Sequence, residues 1–300
     1  MELATLKIKT FLFVAIMFLA TAAIAISAGY KLLYGQGIFA GETGVVPVIA
    51  EQPIPLMDIS QFPVQTSSAI GALQFLISFL IATGIMLLFL RIFKGKFFFE
   101  FFFAVAIWFG AQIIFGTMIQ GASAYLLAFA LIILKHFMPR VFVQDIALMI
   151  GIAGISATMG LTFSWENAAV ILSLLSVYDI IAVYKTKHMQ KMFRGLAEKG
   201  AILAMIAPPI LRGFSAKLKD IDPLKGNFLF LGTGDVALPI FFSVSVLPFG
   251  LFNSIYVIFG ALTGLAVVHF LFTQQKKRSP MPALPPIAAG AIIGFLLSII

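Results

Sequence analysis

The sequence predicts an all-α, polytopic membrane protein of nine spans, with its N-terminus cytoplasmic and its C-terminus outside. Apolar runs of around 20 residues recur along the chain, long enough to cross a hydrocarbon layer of about 30 Å as helices. Hydrophobic residues make up 61% of the 300 and charged residues only 11%, against roughly 25% in ordinary soluble chains. Basic residues gather in short segments between the runs, as cytoplasmic loops of membrane proteins do. A membrane β-barrel would show alternating segments of about 10 residues, and none is present.

Composition also removes several functions. The net charge of +8 is placed in those loops and not in one basic face, so no nucleic-acid partner is expected. Cysteine is absent, which excludes disulfides, thiolate catalysis and cysteine-ligated metal. His136, His188 and His269 are scattered without a His-Glu-x-x-His pair, so no metal or other cofactor is expected.

In chain order, Lys7 and Lys9 precede the first span, Phe11 to Ala28. Its small-residue string from Ala20 to Ala25 resembles a signal-peptide cleavage region, but the apolar core is long for one. The loop from Tyr34 to Thr66 carries Glu42, Glu51, Asp58, four prolines and no base, and is expected outside. The second span runs from Ser68 to Leu90, with Thr66, Ser67 and Ser68 as N-cap candidates. Arg91, Lys94 and Lys96 form an inner loop. The third span, Phe97 to Met118, opens on an aromatic belt around Glu100. Gly121 to Leu134 is the fourth span, followed by Lys135, His136 and Arg140. The fifth, Phe142 to Phe163, holds Asp145 near its inner end and the packing glycines Gly151 and Gly154.

Trp165 and Glu166 turn the chain into the sixth span, Ala168 to Tyr184. The basic segment Lys185 to Lys225 contains an apolar insert, Ala201 to Leu211, that is too short to span and is expected to lie against the bundle or the interface. The seventh span is Phe228 to Leu247 and the eighth Leu251 to Phe272. After Lys276-Lys277-Arg278, the ninth runs from Pro282 to the end. Of the Lys and Arg residues, only Lys31 falls near an outer face, where it can snorkel. Residues 1–165 are expected to form a scaffold and 166–300 the catalytic part of one membrane-embedded domain.

Two carboxylates stand well inside apolar runs, Asp179 in the sixth span and Asp235 in the seventh. An ionisable group at that depth costs several kcal/mol unless compensated, which marks it as functional. Asp179 lies six residues before Lys185, about 9 Å of helix. Asp235 lies ten residues after Lys225, at most about 15 Å. Adjacent antiparallel helices can therefore bring them face to face. Two carboxylates about 3–5 Å apart do not both ionise readily, so the pair holds one proton. The ionised member takes a proton from water while the other donates to a scissile carbonyl oxygen. Gly232 and Gly234, without Cβ atoms, suit close approach of a peptide backbone. Tyr178 is placed to pack over the pair or hydrogen-bond within the site. Pro280, Pro282, Pro285 and Pro286 keep the ninth span's entry irregular, which is tolerated where backbone lines a watery cavity.

Tyr178-Asp179, Gly232-Thr233-Gly234-Asp235 and Pro282-Ala283-Leu284 resemble, in order and spacing, the YD, GxGD and PAL motifs of presenilin and signal peptide peptidase. The resemblance implies an intramembrane aspartyl protease with Asp179 and Asp235 as the catalytic pair. It implies that Tyr178, Gly232, Thr233, Gly234, Pro282, Ala283 and Leu284 shape the substrate site. The inward N-terminus is similar to the presenilin orientation, whereas Asp235-Val236-Ala237-Leu238-Pro239 is closer to signal peptide peptidase. The long hydrophilic insertion of animal presenilins is lacking, and the 201–211 insert is a candidate for a similar plugging role. The expected partners are a transmembrane peptide or protein substrate and membrane lipid, with a homo-oligomer open, and the expected location is the plasma membrane of a microbe.

Other readings are weaker. Paired intramembrane carboxylates also serve proton-coupled transporters and cation leaks, but no internal repeat with matching broken helices is visible. A prepilin-type peptidase shares the GxGD aspartate but not Pro-Ala-Leu in a nine-span layout. Gly121-Ala122-Ser123-Ala124 resembles a rhomboid nucleophile turn without its last glycine, and helix packing accounts for Ser123.

Overall fold

Long apolar stretches become helices because a lipid-embedded backbone must satisfy its own hydrogen bonds. The computed structural model describes residues 2–34, 77, 78, 81, 85, 96–119, 121–185, 204–221, 228–275 and 281–300. Eight helices have defined bounds: α1 (Glu2–Tyr34), α2 (Lys96–Gly116), α3 (Ala122–Phe137), α4 (Val141–Thr162), α5 (Trp165–Ile180), α6 (Thr233–Ser245), α7 (Leu251–Gln274) and α8 (Leu284–Ser298). Among the described residues, four stretches are long and apolar enough to cross a membrane: Ile8–Tyr34, Val141–Thr162, Trp165–Lys185 and Leu251–Gln274. Of the expected second span, Ile77, Ser78, Ile81 and Ile85 are helical and exposed. The rest of that span, the loop beyond Tyr34, the inner loop at Arg91 and Lys94, and Lys276-Lys277-Arg278 lie outside the described residues.

Side chains sort as a lipid-embedded bundle requires. Ile8, Leu12 and Ile16 of α1, Phe252, Phe259 and Phe270 of α7, and Ile293 and Leu297 of α8 are exposed. Other apolar residues face inward, with Phe18, Phe242, Ile171, Leu172 and Ile287 fully buried. Lipid tails are as apolar as leucine, so close packing and interhelical hydrogen bonds must hold the helices together. Glycine supplies the first: a Cβ at Gly110 of α2 would strike the Gly151 carbonyl of α4, and one at Gly154 the Gly110 carbonyl. The glycines expected to pack helices do so.

Serine supplies the second where α6 turns into α7. Ser243 Oγ donates to the Ser254 carbonyl at 2.8 Å, and Ser254 Oγ donates to the Ser243 carbonyl at 2.8 Å. Both side chains are buried. Ser243→Ala and Ser254→Ala should each destabilise the solubilised protein by about 1 kcal/mol, read as a lower denaturation midpoint. Two substitutions without effect would remove this lock.

The all-α expectation is corrected by a two-stranded antiparallel sheet. Strand β1 (Ala204–Ala207) pairs with β2 (Leu229–Gly232), in the register Ala204 with Gly232 and Ile206 with Phe230. The expected seventh span therefore starts as a strand, and its helix begins only at Thr233. The apolar insert lies against the bundle through its β1 residues, which are buried, while Ile210 and Leu211 at its end are exposed; residues 201–203 lie outside the described residues. Four apolar residues before Pro208-Pro209 cannot build a spanning helix, because the prolines end the segment. Pairing with another short strand satisfies the backbone instead.

The β1 arm is tied to the inner end of α4. Val141 N donates to the Ala216 carbonyl at 3.1 Å, and Leu218 N to the Pro139 carbonyl at 2.9 Å. Val141, Ala204, Ile206 and Ile221 form a small second core there, flanked by Phe214, Phe228 and Phe230. Helices α5, α6 and α8 pack together, α6 contacting β2, with α8 lying along α7.

Candidate active site

The site is assembled from three segment ends. Asp179 is the second-last residue of α5, and the chain then widens into a π-helical turn, Ile181–Lys185. Such turns displace backbone from the regular ladder and recur at functional sites. Asp179 is 9% exposed, and its Oδ2 accepts the backbone N–H of Leu284 at 3.3 Å. Leu284 opens α8, where the first N–H groups have no intrahelical acceptor and carry partial positive charge. The next two residues, Pro285 and Pro286, have no N–H to offer. The proline-rich entry thus leaves one donor at the head of α8, and Asp179 takes it. Pro282 and Leu284 are buried and Ala283 half-buried.

Asp235 is the third residue of α6, directly after β2. Its carboxylate accepts the backbone N–H of Gly232, the residue that caps the helix. An acid in the third position reaching back to the cap is half of a capping box. A Cβ at Gly232 would come within 2.9 Å of Asp235 Oδ2, so glycine leaves this carboxylate room to lie over the backbone. Gly234 differs: it is exposed and a Cβ there would meet nothing within 4 Å. It leaves open room beside Asp235. Thr233 is half-buried.

Pro239 lies inside α6. Without an N–H it cannot bond the carbonyl of Asp235 four residues back. Ser156 of α4 steadies this irregular helix, donating to the Ala237 carbonyl at 3.1 Å.

The Asp179 and Asp235 carboxylates interact electrostatically. Leu284 joins them through its bond to Asp179, although it is 105 residues away in sequence. Tyr178 is 43% exposed; adjacent helical residues project about 100° apart, so its ring turns off the Asp179 direction toward the outside of the bundle. The sequence places Asp145 near the inner end of the fifth span without giving it a partner: as the fifth residue of α4 it is buried, and its Oδ1 accepts the Ile206 N–H of β1 at 2.9 Å. An acid so near the end of an apolar run reads as interfacial, and only the strand reveals its partner.

A family profile described as "Signal-peptide peptidase, presenilin aspartyl protease" matches residues 43–300. A solved presenilin family intramembrane aspartate protease, in a C222 crystal form, is 26% identical and superposes with a TM-score of 0.64, covering 96% of this chain and 97% of the other. A second, in a P2 form, is 25% identical with a TM-score of 0.61, covering 95% of each chain. No curated protein matches. The match reaches well beyond half the chain and includes every segment that meets at the two aspartates, so the chain belongs to the signal-peptide peptidase and presenilin family and is an intramembrane aspartyl protease.

Proposed function

We propose that Asp179 and Asp235 are the catalytic dyad, and that the protein cuts peptide bonds within the apolar spans of single-pass membrane proteins or signal peptides. The observation that carries this is the meeting of the two carboxylates with the head of α8, each held by a backbone N–H. Such bonds fix carboxylate orientation without introducing a competing cation. The dyad acts as one unit holding one proton, with no separate acid and base. One oxygen draws a proton from water as that water attacks the carbonyl carbon, and the shared proton passes to the carbonyl oxygen. The resulting tetrahedral species collapses with proton transfer to the leaving amide nitrogen. No metal or covalent intermediate takes part.

Gly234 provides the opening through which an unwound substrate segment approaches, while Gly232 serves Asp235 itself. Thr233, Pro282, Ala283 and Leu284 border that approach, and Tyr178 meets the substrate on its lipid side. In this reading the protein has nine spans with its N-terminus cytoplasmic, lies in the plasma membrane of a microbe, and divides into a 1–165 scaffold and a 166–300 catalytic part. It works without a partner subunit.

The test is cleavage of a single-pass substrate by the purified chain in liposomes, with fragment masses locating the cut. A cut inside the substrate's apolar span supports the reading. Cuts confined to flanking soluble segments, or none across several substrates, would contradict it.

The Leu284 contact separates two contributions. Leu284→Pro keeps a good first helical residue but removes the N–H. Leu284→Ala keeps the N–H and removes the side chain. A hydrogen bond to a charged group contributes about 1.5–3 kcal/mol, so kcat should fall roughly tenfold or more further for the proline variant than for the alanine one. Equal kcat values would mean the N–H does not matter.

A further inference from the structure

We propose that Asp145 is a positioning residue for the reaction, setting the register of the β1–β2 ribbon and through it the backbone N–H that holds Asp235. The inference rests on the reading of Asp235 as catalytic.

In an antiparallel pair, residues alternate between those whose N–H groups point across to the partner strand and those whose N–H groups point outward. The Ile206 N–H goes to Asp145 on α4, so it points away from β2. Ile206 opposes Phe230, and Ala204, two residues earlier, opposes Gly232. Positions two apart belong to the same class, so the Gly232 N–H points outward too, but from the opposite edge of the ribbon. There it meets the carboxylate of Asp235. Two acidic side chains thus bind the ribbon from its two edges, and both need the same register.

A slip of one residue would require one strand to turn over, exchanging its outward and inward N–H groups. Short apolar strands specify register weakly, and each strand here has only four residues. Asp145 supplies what they lack. Its carboxyl is buried, and among the described residues Oδ2 takes no hydrogen bond, leaving Ile206 as the contact that accounts for an acid at this place. The arm is fastened to the same end of α4 by the Val141–Ala216 and Leu218–Pro139 bonds, so Asp145 acts from a fixed base.

The experiment uses the purified full chain in liposomes with a single-pass substrate, beside Asp179→Ala and Asp235→Ala. Asp145→Leu keeps the branching at Cγ, in a somewhat larger side chain, but cannot accept the Ile206 N–H. It should lower kcat about ten- to a hundredfold with KM little changed, and speed amide hydrogen exchange across 204–207 and 229–232. Asp145→Asn keeps an acceptor oxygen and should recover most of the rate and the slow exchange. Ile206→Pro removes the donor at an outward position where a strand tolerates proline, so it should reproduce the loss even if Asp145→Leu fails to fold. The double variant should be no slower than the worse single one.

Full kcat in folded Asp145→Leu, Asp145→Asn no better than leucine, or losses that multiply in the double variant would each overturn the proposal. If those occur while Asp235→Ala is inactive, only this inference fails. Activity surviving Asp235→Ala would instead remove the dyad reading beneath it.

Discussion

Asp235→Ala and Asp179→Ala should each reduce cleavage by roughly 10³-fold or more, with substrate affinity largely kept. Positioned acid–base groups contribute about 10²–10⁴-fold apiece, and here neither carboxyl has a function alone. The residue that remains has no partner with which to share a proton, so it cannot both activate water and protonate the carbonyl oxygen. Losses in such a unit are not additive. The double variant should therefore be no slower than either single one. Rates that multiply would mean two independent groups, and a variant retaining a tenth of the activity would remove its residue from the dyad. The substitutions should leave the fold in place, because the helices are held by glycine contacts and by the Ser243–Ser254 lock, neither of which involves the dyad.

The second large effect is expected at Gly264. Helices α7 and α8 approach through Gly260, Gly264, Gly290 and Gly294: a Cβ at Gly260 would strike the Gly290 carbonyl, and one at Gly264 the Pro286 carbonyl. Small residues four apart let helix backbones touch in this way. Pro286 sits two residues after Leu284, whose N–H holds Asp179. Gly264→Val must push the first turn of α8 away from α7, and that shift falls on the donor itself. Overpacking of this kind costs about 1–3 kcal/mol of stability, and a displacement of about 1 Å near the reacting groups can cost 10²-fold in rate. The expected result is a lowered denaturation midpoint with kcat down roughly a hundredfold. Gly116→Ala, where an added Cβ meets nothing within 4 Å, is the matched control and should be neutral in both. A Gly264→Val protein with kcat near the unaltered value would mean that the head of α8 does not depend on this contact.

The helices and the two aspartates were legible in the sequence because both signals are one-dimensional. Apolar length marks a lipid-embedded helix wherever it falls, and a carboxylate inside such a run stands out without knowledge of its neighbours. The bounds of α4 and α7 differ from expectation by a residue or two. The sheet was not legible. Phe228 to Leu231 continues the apolar run of α6, and only the distant Ala204–Ala207 segment makes it a strand. Asp145 stayed obscure for the same reason, its meaning lying in an amide 61 residues later. The role of glycine in the motif also needed coordinates: Gly232 and Gly234 look equivalent in sequence, yet one lies against the Asp235 carboxylate and the other borders open space. Tyr178 shows the limit of adjacency, since sharing a helix turn with Asp179 places its ring on the exposed side.

The central claim, that Asp179 and Asp235 together hold the tetrahedral species of peptide hydrolysis, is tested most directly by binding. A peptide carrying a secondary alcohol in place of its scissile amide presents such a centre without being cut, and mimics of this kind bind about 10²-fold or more tighter than substrate. The account predicts tight binding to the unaltered protein, lost by at least about 10²-fold in Asp179→Ala and equally in Asp235→Ala, while the parent substrate binds all three alike. Undiminished binding of the alcohol to either variant would contradict it.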